Sequence, residues 1–141
     1  MRTLRIFETI LYAADLAAAH RFYGGLLGLE RIRESELFLT YRLAGSVLLV
    51  FQPDLSRESG RSVPSHGMIG QGHIAFVATD PEIEEWRKRF LAAGVEIEQV
   101  HQWAEGGRSL YVRDPDGNSV EFAPPTLWGG GWDLPPHDGS P

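Results

Sequence analysis

Glu8, His73 and Glu121 are the residues of this chain whose types and positions could do chemistry together. Each falls in a short run of β-favouring residues: Ile6–Ala13, Gly72–Thr79 and Ser119–Ala123. On a period of two, Glu8 shares a face with Ile10 and Tyr12, His73 with Ala75 and Val77, and Glu121 with Ser119 and Ala123. The same face is expected to collect Phe38, Thr40 and Arg42, then Leu48, Val50 and Gln52, and Ser109 with Tyr111. Apolar residues mixed with two carboxylates and one imidazole do not make an ordinary core. They make a ligand cavity with a few convergent polar groups. Spacing alone also fits scattered polar residues on a solvated sheet face.

The elements that must position these groups come in two similar sets. Ile6–Ala13 reads as a strand, and Asp15 as the N-cap of a helix running to about Leu27. Its apolar stripe is Leu16, Ala19, Phe22, Tyr23, Leu26 and Leu27, with His20 on the outer surface and Gly28 ending the helix. Glu30–Ser35, Leu37–Leu43 and Ser46–Gln52 read as an antiparallel meander. A loop spans 54–71 and carries His66. Then Gly72–Thr79 is a strand, with Asp80 the expected N-cap and Pro81 the first helical residue. Ile83, Trp86, Phe90 and Leu91 form the buried stripe, and Glu84–Lys88 and Glu85–Arg89 are outward i,i+4 pairs. Val95–His101, Arg108–Arg113 and Ser119–Ala123 follow as strands, the last two joined by Asp114-Pro115-Asp116-Gly117-Asn118. His101 and Trp103 lie at a strand end, beside the Gly106-Gly107 turn. Residues 126–141 are Gly/Pro-rich and read as an irregular tail.

Shifting the chain by 65 residues lays Glu8–Asp15 on His73–Asp80 and Glu8 on His73. Shifting it by 71 lays Leu39–Pro53 on Leu110–Pro124 without a gap, and Val50 on Glu121. The chain is therefore expected to be α+β: two tandem βαβββ modules, 5–53 and 72–125, within a single domain 1–125. Each module has about 55 residues and must bury its sheet against a second unit.

The run E-x-x-L-Y-x-x-D-L ending in F-Y-x-x-x-L-G-L, with G-H-I-A-F and D-P-D-G-N-x-V-E further on, resembles the vicinal oxygen chelate superfamily. That group includes glyoxalase I, fosfomycin-resistance thiol transferases, extradiol dioxygenases and bleomycin-resistance proteins. The resemblance covers Ile6 to Pro125 and implies paired modules with each sheet curled round a cavity, usually in a homodimer. It implies Glu8, His73 and Glu121 as ligands of a divalent metal. Ligands in the family come from the first and last strands of each module, and Val50 at the fourth position cannot bind one. Glu8 departs from the commoner His. One imidazole and two carboxylates suit Mn²⁺, Fe²⁺, Ni²⁺ or Co²⁺, with Zn²⁺ also compatible, and leave open positions for paired substrate oxygens. Glu8 or Glu121 could leave the metal and act as general base. Tyr111 and Ser109 match substrate-side positions of the fosfomycin-resistance group. His101 and Glu105 replace that group's Lys and Ser, which argues against fosfomycin. Tyr12, Phe38, Thr40, Gln52, His101 and Trp103 complete the candidate substrate contacts.

Composition narrows the partners. The 141 residues carry a formal net charge of −6, which argues against nucleic acid and against anionic lipid. The chain has no cysteine, so thiolate ligands and a Cys nucleophile are excluded. The N-terminal stretch lacks signal-peptide features and no run is long enough to span a membrane, so a cytoplasmic protein with a small-molecule substrate is expected. Two functions fit. One is a glyoxalase-like metal enzyme that chelates vicinal oxygens and stabilises an enolate or oxyanion, as a lyase or isomerase. The other is a metal-free protein that sequesters an aromatic or antibiotic ligand, as bleomycin-resistance proteins do.

Overall fold

The computed structural model describes residues 5–130. Residues 131–141, the end of the expected irregular tail, lie outside the described residues. The chain builds two four-stranded mixed sheets with the same connectivity. The first holds β1 (Glu8–Tyr12), β2 (Arg31–Glu34), β3 (Phe38–Leu43) and β4 (Ser46–Phe51) in the order β1-β4-β3-β2. The second holds β5 (His73–Val77), β6 (Gln99–Gln102), β7 (Arg108–Arg113) and β8 (Ser119–Ala123) in the order β5-β8-β7-β6. In each, the first strand pairs parallel with the last and the remaining pairs are antiparallel. Neither sheet closes on itself, and the α+β reading with two βαβββ modules holds.

The helices form where the caps dictate. Asp15 caps α1 (Leu16–His20), its carboxylate accepting the Ala18 N–H at 2.9 Å. The helix then widens into a π-helical turn over Arg21–Leu26, closed by Leu27 N–H on Phe22 O at 2.9 Å. A β-carbon on Gly24 would lie 2.3 Å from the His20 ring, so a larger residue there would displace that imidazole. His20 is not a surface residue as expected. It is half-buried, and its Nδ1 meets the Tyr41 hydroxyl at 3.0 Å. α2 (Pro53–Ser56) is a single turn at the start of the loop. α3 (Asp80–Ala92) starts one residue earlier than expected. Thr79 is its N-cap, and the Glu82 carboxylate accepts from the Thr79 N–H at 2.6 Å. Ile83 and Phe90 are buried, whereas Leu91 is 53% exposed and falls outside the stripe. The charged pairs form at i,i+3 instead of i,i+4: Arg87 with Glu84 and Lys88 with Glu85. Arg89 lies over the Trp86 ring at 5.0 Å.

One core joins the two modules through their helix-bearing faces. Phe22 stacks on Phe90 at 6.3 Å, and Phe90 meets Phe122 at 5.6 Å. The Tyr23 hydroxyl donates to Asp114 Oδ2 at 2.8 Å, and Asn118 Nδ2 donates to Tyr12 O at 3.1 Å. Burial and the Asp114 charge push the Tyr23 phenol well above its ordinary range. Burial pushes Tyr41 up to about 12, offset in part by Arg31.

A raised phenol pKa favours the neutral form in the folded state. The stability it contributes is whole below the unfolded value of about 10 and is lost as pH climbs toward the folded value. The protein is therefore expected to lose stability between about pH 10 and pH 12, with tyrosinate absorbance and loss of circular dichroism rising together. Free phenolate formation at the ordinary pH in a chain still folded would contradict this burial.

Register corrects the repeat. Tyr111 pairs with Glu121, but Thr40 pairs with Leu49, and Val50 pairs with Leu39. The turn between Arg113 and Ser119 holds one residue more than the segment between their counterparts Arg42 and Val47. The ungapped match thus slips by one in the last strand, and a one-residue slip exchanges the faces. Leu48 and Val50 are fully buried under the helices, and Val47, Leu49 and Phe51 take the face expected for them. The position equivalent to Glu121 is Leu49, which cannot bind a metal either.

Candidate functional site

β5 and β8 lie side by side, and their register sets His73 one step from Glu121 across the ladder. His73 Nε2 lies 3.2 Å from Glu121 Oε2. The His73 side chain is half-exposed, while the Glu121 residue is only 6% exposed. From β7, Tyr111 OH donates to Glu121 Oε1 at 2.7 Å. Both oxygens of this buried carboxylate are thus engaged, which its burial requires. Burial pushes Tyr111 up to about 12, the hydrogen bond and charge of Glu121 add to this, and the Ser109 hydroxyl opposes it. Tyr111 therefore stays a proton donor at neutral pH. Ser109 is itself buried and accepts from Trp103 Nε1 at 2.8 Å. The Trp103 ring meets His101 edge-on at 4.4 Å. A polar line thus crosses the open face of the second sheet, from Trp103 through Ser109 and Tyr111 to Glu121 and His73.

Two depressions flank this line. One, of about 450 Å³, is walled by His73 and Glu121 with Ala75, Val77 and Ala123, and its rim is formed by Leu127 and Trp128. The other, of about 410 Å³, lies over His101, Trp103, Tyr111 and Ser119. Its neighbour Arg113 is held by Glu98 at 2.7 Å and is not a free anion site.

The first sheet carries the rest of the candidates. Glu8 and Ile10 are exposed on its open face, and Thr40 is buried beside Leu49. Tyr12 hydrogen-bonds His66 Nδ1 at 2.8 Å, and that imidazole meets the Phe51 ring edge-on at 4.7 Å. Phe51 in turn packs on Phe38 at 5.3 Å. The inter-module loop therefore lays His66 on the row Tyr12–Phe51–Phe38. Polarity in a non-periodic loop singled it out only weakly. Gln52 goes elsewhere. Its side chain caps α2, accepting from Leu55 N–H at 2.8 Å, and it does not stand on the open face as expected.

The structure thus brings His73, Glu121, Tyr111, Ser109 and Trp103 together and leaves Glu8 apart. Among the described residues, no three His, Asp or Glu side chains gather as metal ligands within one chain. The His73–Glu121 pair nevertheless fits a divalent ion. Bonds of about 2.1 Å at right angles set two donors about 3.0 Å apart, close to the 3.2 Å found.

Two mixed βαβββ sheets, the second bearing an imidazole and a buried carboxylate beside an apolar pocket, define a class of fold, and comparison with known proteins names it. The model of the Glyoxalase/Bleomycin resistance protein/Dioxygenase superfamily matches residues 5–122, and the chain belongs to that family. It is similar to the crystal structure of lactoylglutathione lyase from Agrobacterium tumefaciens. The TM-score is 0.88 at 39% identity, covering 92% of this chain and 100% of the other. Lactoylglutathione lyase of Haemophilus influenzae is 29% identical over 84% of this chain and 91% of its own length. Metallothiol transferase FosB of Shouchella clausii is 33% identical over 56% of this chain, which spans 51% of that protein. No helix among the described residues is long and apolar enough to cross a membrane.

Proposed function

We propose that the protein is a divalent-metal lyase or isomerase acting on a small substrate with two neighbouring oxygens, and that it works as a homodimer. The observation that carries this reading is the convergence of His73 Nε2 and Glu121 Oε2 at 3.2 Å on a pocket wall. Similarity to lactoylglutathione lyases supports the reaction class. His73 and Glu121 would hold the metal, with Glu8 supplied by a second copy, because the first sheet's open face carries Glu8 at the position equivalent to His73. A bound divalent ion would supply a Lewis acid for the substrate's paired oxygens. The chain's own residues do the rest. Tyr111 holds Oε1 of Glu121, so Oε2, the oxygen that faces His73, is the one that would bind the ion or take a proton. Val77 and Ala123 form part of the apolar wall beside it. Glu8, exposed, is the second candidate base.

The competing reading is a metal-free binding protein. The His73–Glu121 contact supports it, since that pair already satisfies itself as an ion pair when His73 is protonated. Thermal unfolding with added Mn²⁺, Ni²⁺ or Fe²⁺ separates the two. At about 100 times the dissociation constant, the ion should add about 2.7 kcal/mol of stability. His73→Ala and Glu121→Ala should abolish that gain. A wild type that no ion stabilises would sink the enzyme reading.

A further inference from the structure

The family match ends at residue 122, yet the pocket that holds His73 and Glu121 is finished by residues beyond it. After β8 the chain makes two tight turns, with Leu127 N–H on Pro124 O and Gly129 N–H on Thr126 O, each at 3.0 Å. Pro124 is buried and seated against Gly107. A β-carbon on Gly107 would lie 2.8 Å from the Pro124 ring, and its φ of +77° suits only glycine. This segment is a built turn, and it sets Leu127 and Trp128 on the pocket rim.

Trp128 is 80% exposed. The other described tryptophans are used internally: Trp86 packs on Phe122 at 4.7 Å, and Trp103 donates to Ser109. Among the described residues, Trp128 is the tryptophan whose ring has no aromatic contact and whose N–H has no partner. A large aromatic held out on the rim of an apolar cavity marks a binding surface. Among the described residues, the ionisable groups of that cavity are His73 and Glu121, and no Lys or Arg lines it. An anionic substituent would therefore find no counter-charge there.

We propose that Trp128 is the specificity-determining wall of this pocket, and that it selects substrates bearing an aromatic or bulky apolar substituent next to their paired oxygens. The inference rests on the function proposed above for the substrate's oxygens, but the wall itself is testable without metal. Metal-free protein is titrated with 2-naphthol, followed by fluorescence. Wild type should bind it, Trp128→Ala should bind about tenfold more weakly, and Trp128→Phe should retain most of the affinity. Leu91→Ala, an exposed apolar residue on α3 away from the pocket, is the control and should bind as wild type.

Mn²⁺-loaded protein is then titrated with benzohydroxamate and acetohydroxamate, chelators with the same two oxygens and different substituents. Wild type should prefer the benzo compound, and Trp128→Ala should lose that preference. Naphthol binding that is absent in wild type, or equal in Trp128→Ala, overturns the proposal. So does a Trp128→Ala chain that changes from dimer to monomer with naphthol binding intact, which would place the indole at an interface. Intact, Trp128-dependent naphthol binding with no Mn²⁺-dependent hydroxamate binding upholds the wall and removes the metal function.

Discussion

Asp114→Ala is expected to destabilise the fold by about 3–5 kcal/mol, the loss seen when one partner of a buried charged network is removed. Asp114 is only 4% exposed and each of its carboxylate oxygens accepts two hydrogen bonds. Oδ2 takes the Tyr23 hydroxyl and Asn118 Nδ2, both at 2.8 Å. Oδ1 takes the backbone N–H of Asp116 at 3.0 Å and of Asn118 at 2.8 Å. Alanine would leave those donors without their acceptor, the Tyr23 hydroxyl and the Asn118 amide in buried surroundings. The loss would spread further, because Asn118 also holds Gly72 N–H at 2.7 Å and Tyr12 O at 3.1 Å. Those bonds fix the start of β5 and the end of β1, the strands that carry His73 and Glu8. Urea unfolding should show a much lower midpoint with an unchanged slope. Asp114→Asn should recover only part, since its amide would point one donor at other donors. Arg113→Ala next door breaks an exposed ion pair with Glu98 and exposed hydrogen bonds to Gln71 and Gly117 O, and should move the midpoint far less. Equal effects at both positions would mean that the network is not what holds the hairpin.

The same hairpin shows why some of the architecture was legible and some was not. Arg108–Arg113 and Ser119–Ala123 could be read to the residue, because alternating β-branched and aromatic residues flank a turn of high specificity. Its length relative to the first module's turn could not. One extra residue between Arg113 and Ser119 moved Val50 into the core and put Leu49 opposite Thr40. Local periodicity shows that a strand has two faces, whereas pairing partners decide which face is which. Gln52 was misplaced for the same reason, and then claimed by the cap of α2. The shift from Asp80 to Thr79 as N-cap turned on Glu82, whose reach back to the Thr79 N–H makes the earlier start better satisfied. The His20 ring lies over Gly24, four residues on, and is drawn inward by the Tyr41 hydroxyl, a tertiary contact with no local signal. The candidate polar groups stood out by type on an apolar face. Their separation into His73 with Glu121 on one side and Glu8 on the other follows from Phe22 stacking on Phe90, which no repeat could foretell.

That separation leads to the largest expected effect. If Glu8 of one copy completes the site of another, a dimer contains two sites, each built from two chains. Glu8→Ala homodimers then lack Glu8 in both sites, and Glu121→Ala homodimers lack Glu121 in both. A mixed dimer of the two variants concentrates both defects in one site and leaves the other whole. Equal amounts of the two chains, unfolded together and refolded, form about half mixed dimers. The mixture should therefore bind about one quarter of the wild-type metal per chain, although each parent binds almost none. Subunit mixing can be checked independently with chains of different mass. Pairing of the modules within one chain predicts no recovery, because every chain would carry its own defect. Recovery to about one quarter would place Glu8 across the dimer from His73 and Glu121. Absence of recovery despite proven mixing would return the site to a single chain, which would then have to bring its two open faces together by a movement of one module against the other. The Phe22–Phe90 stack and the Asp114 network oppose such a movement, since opening them exposes aromatic surface and strips a buried carboxylate of its donors.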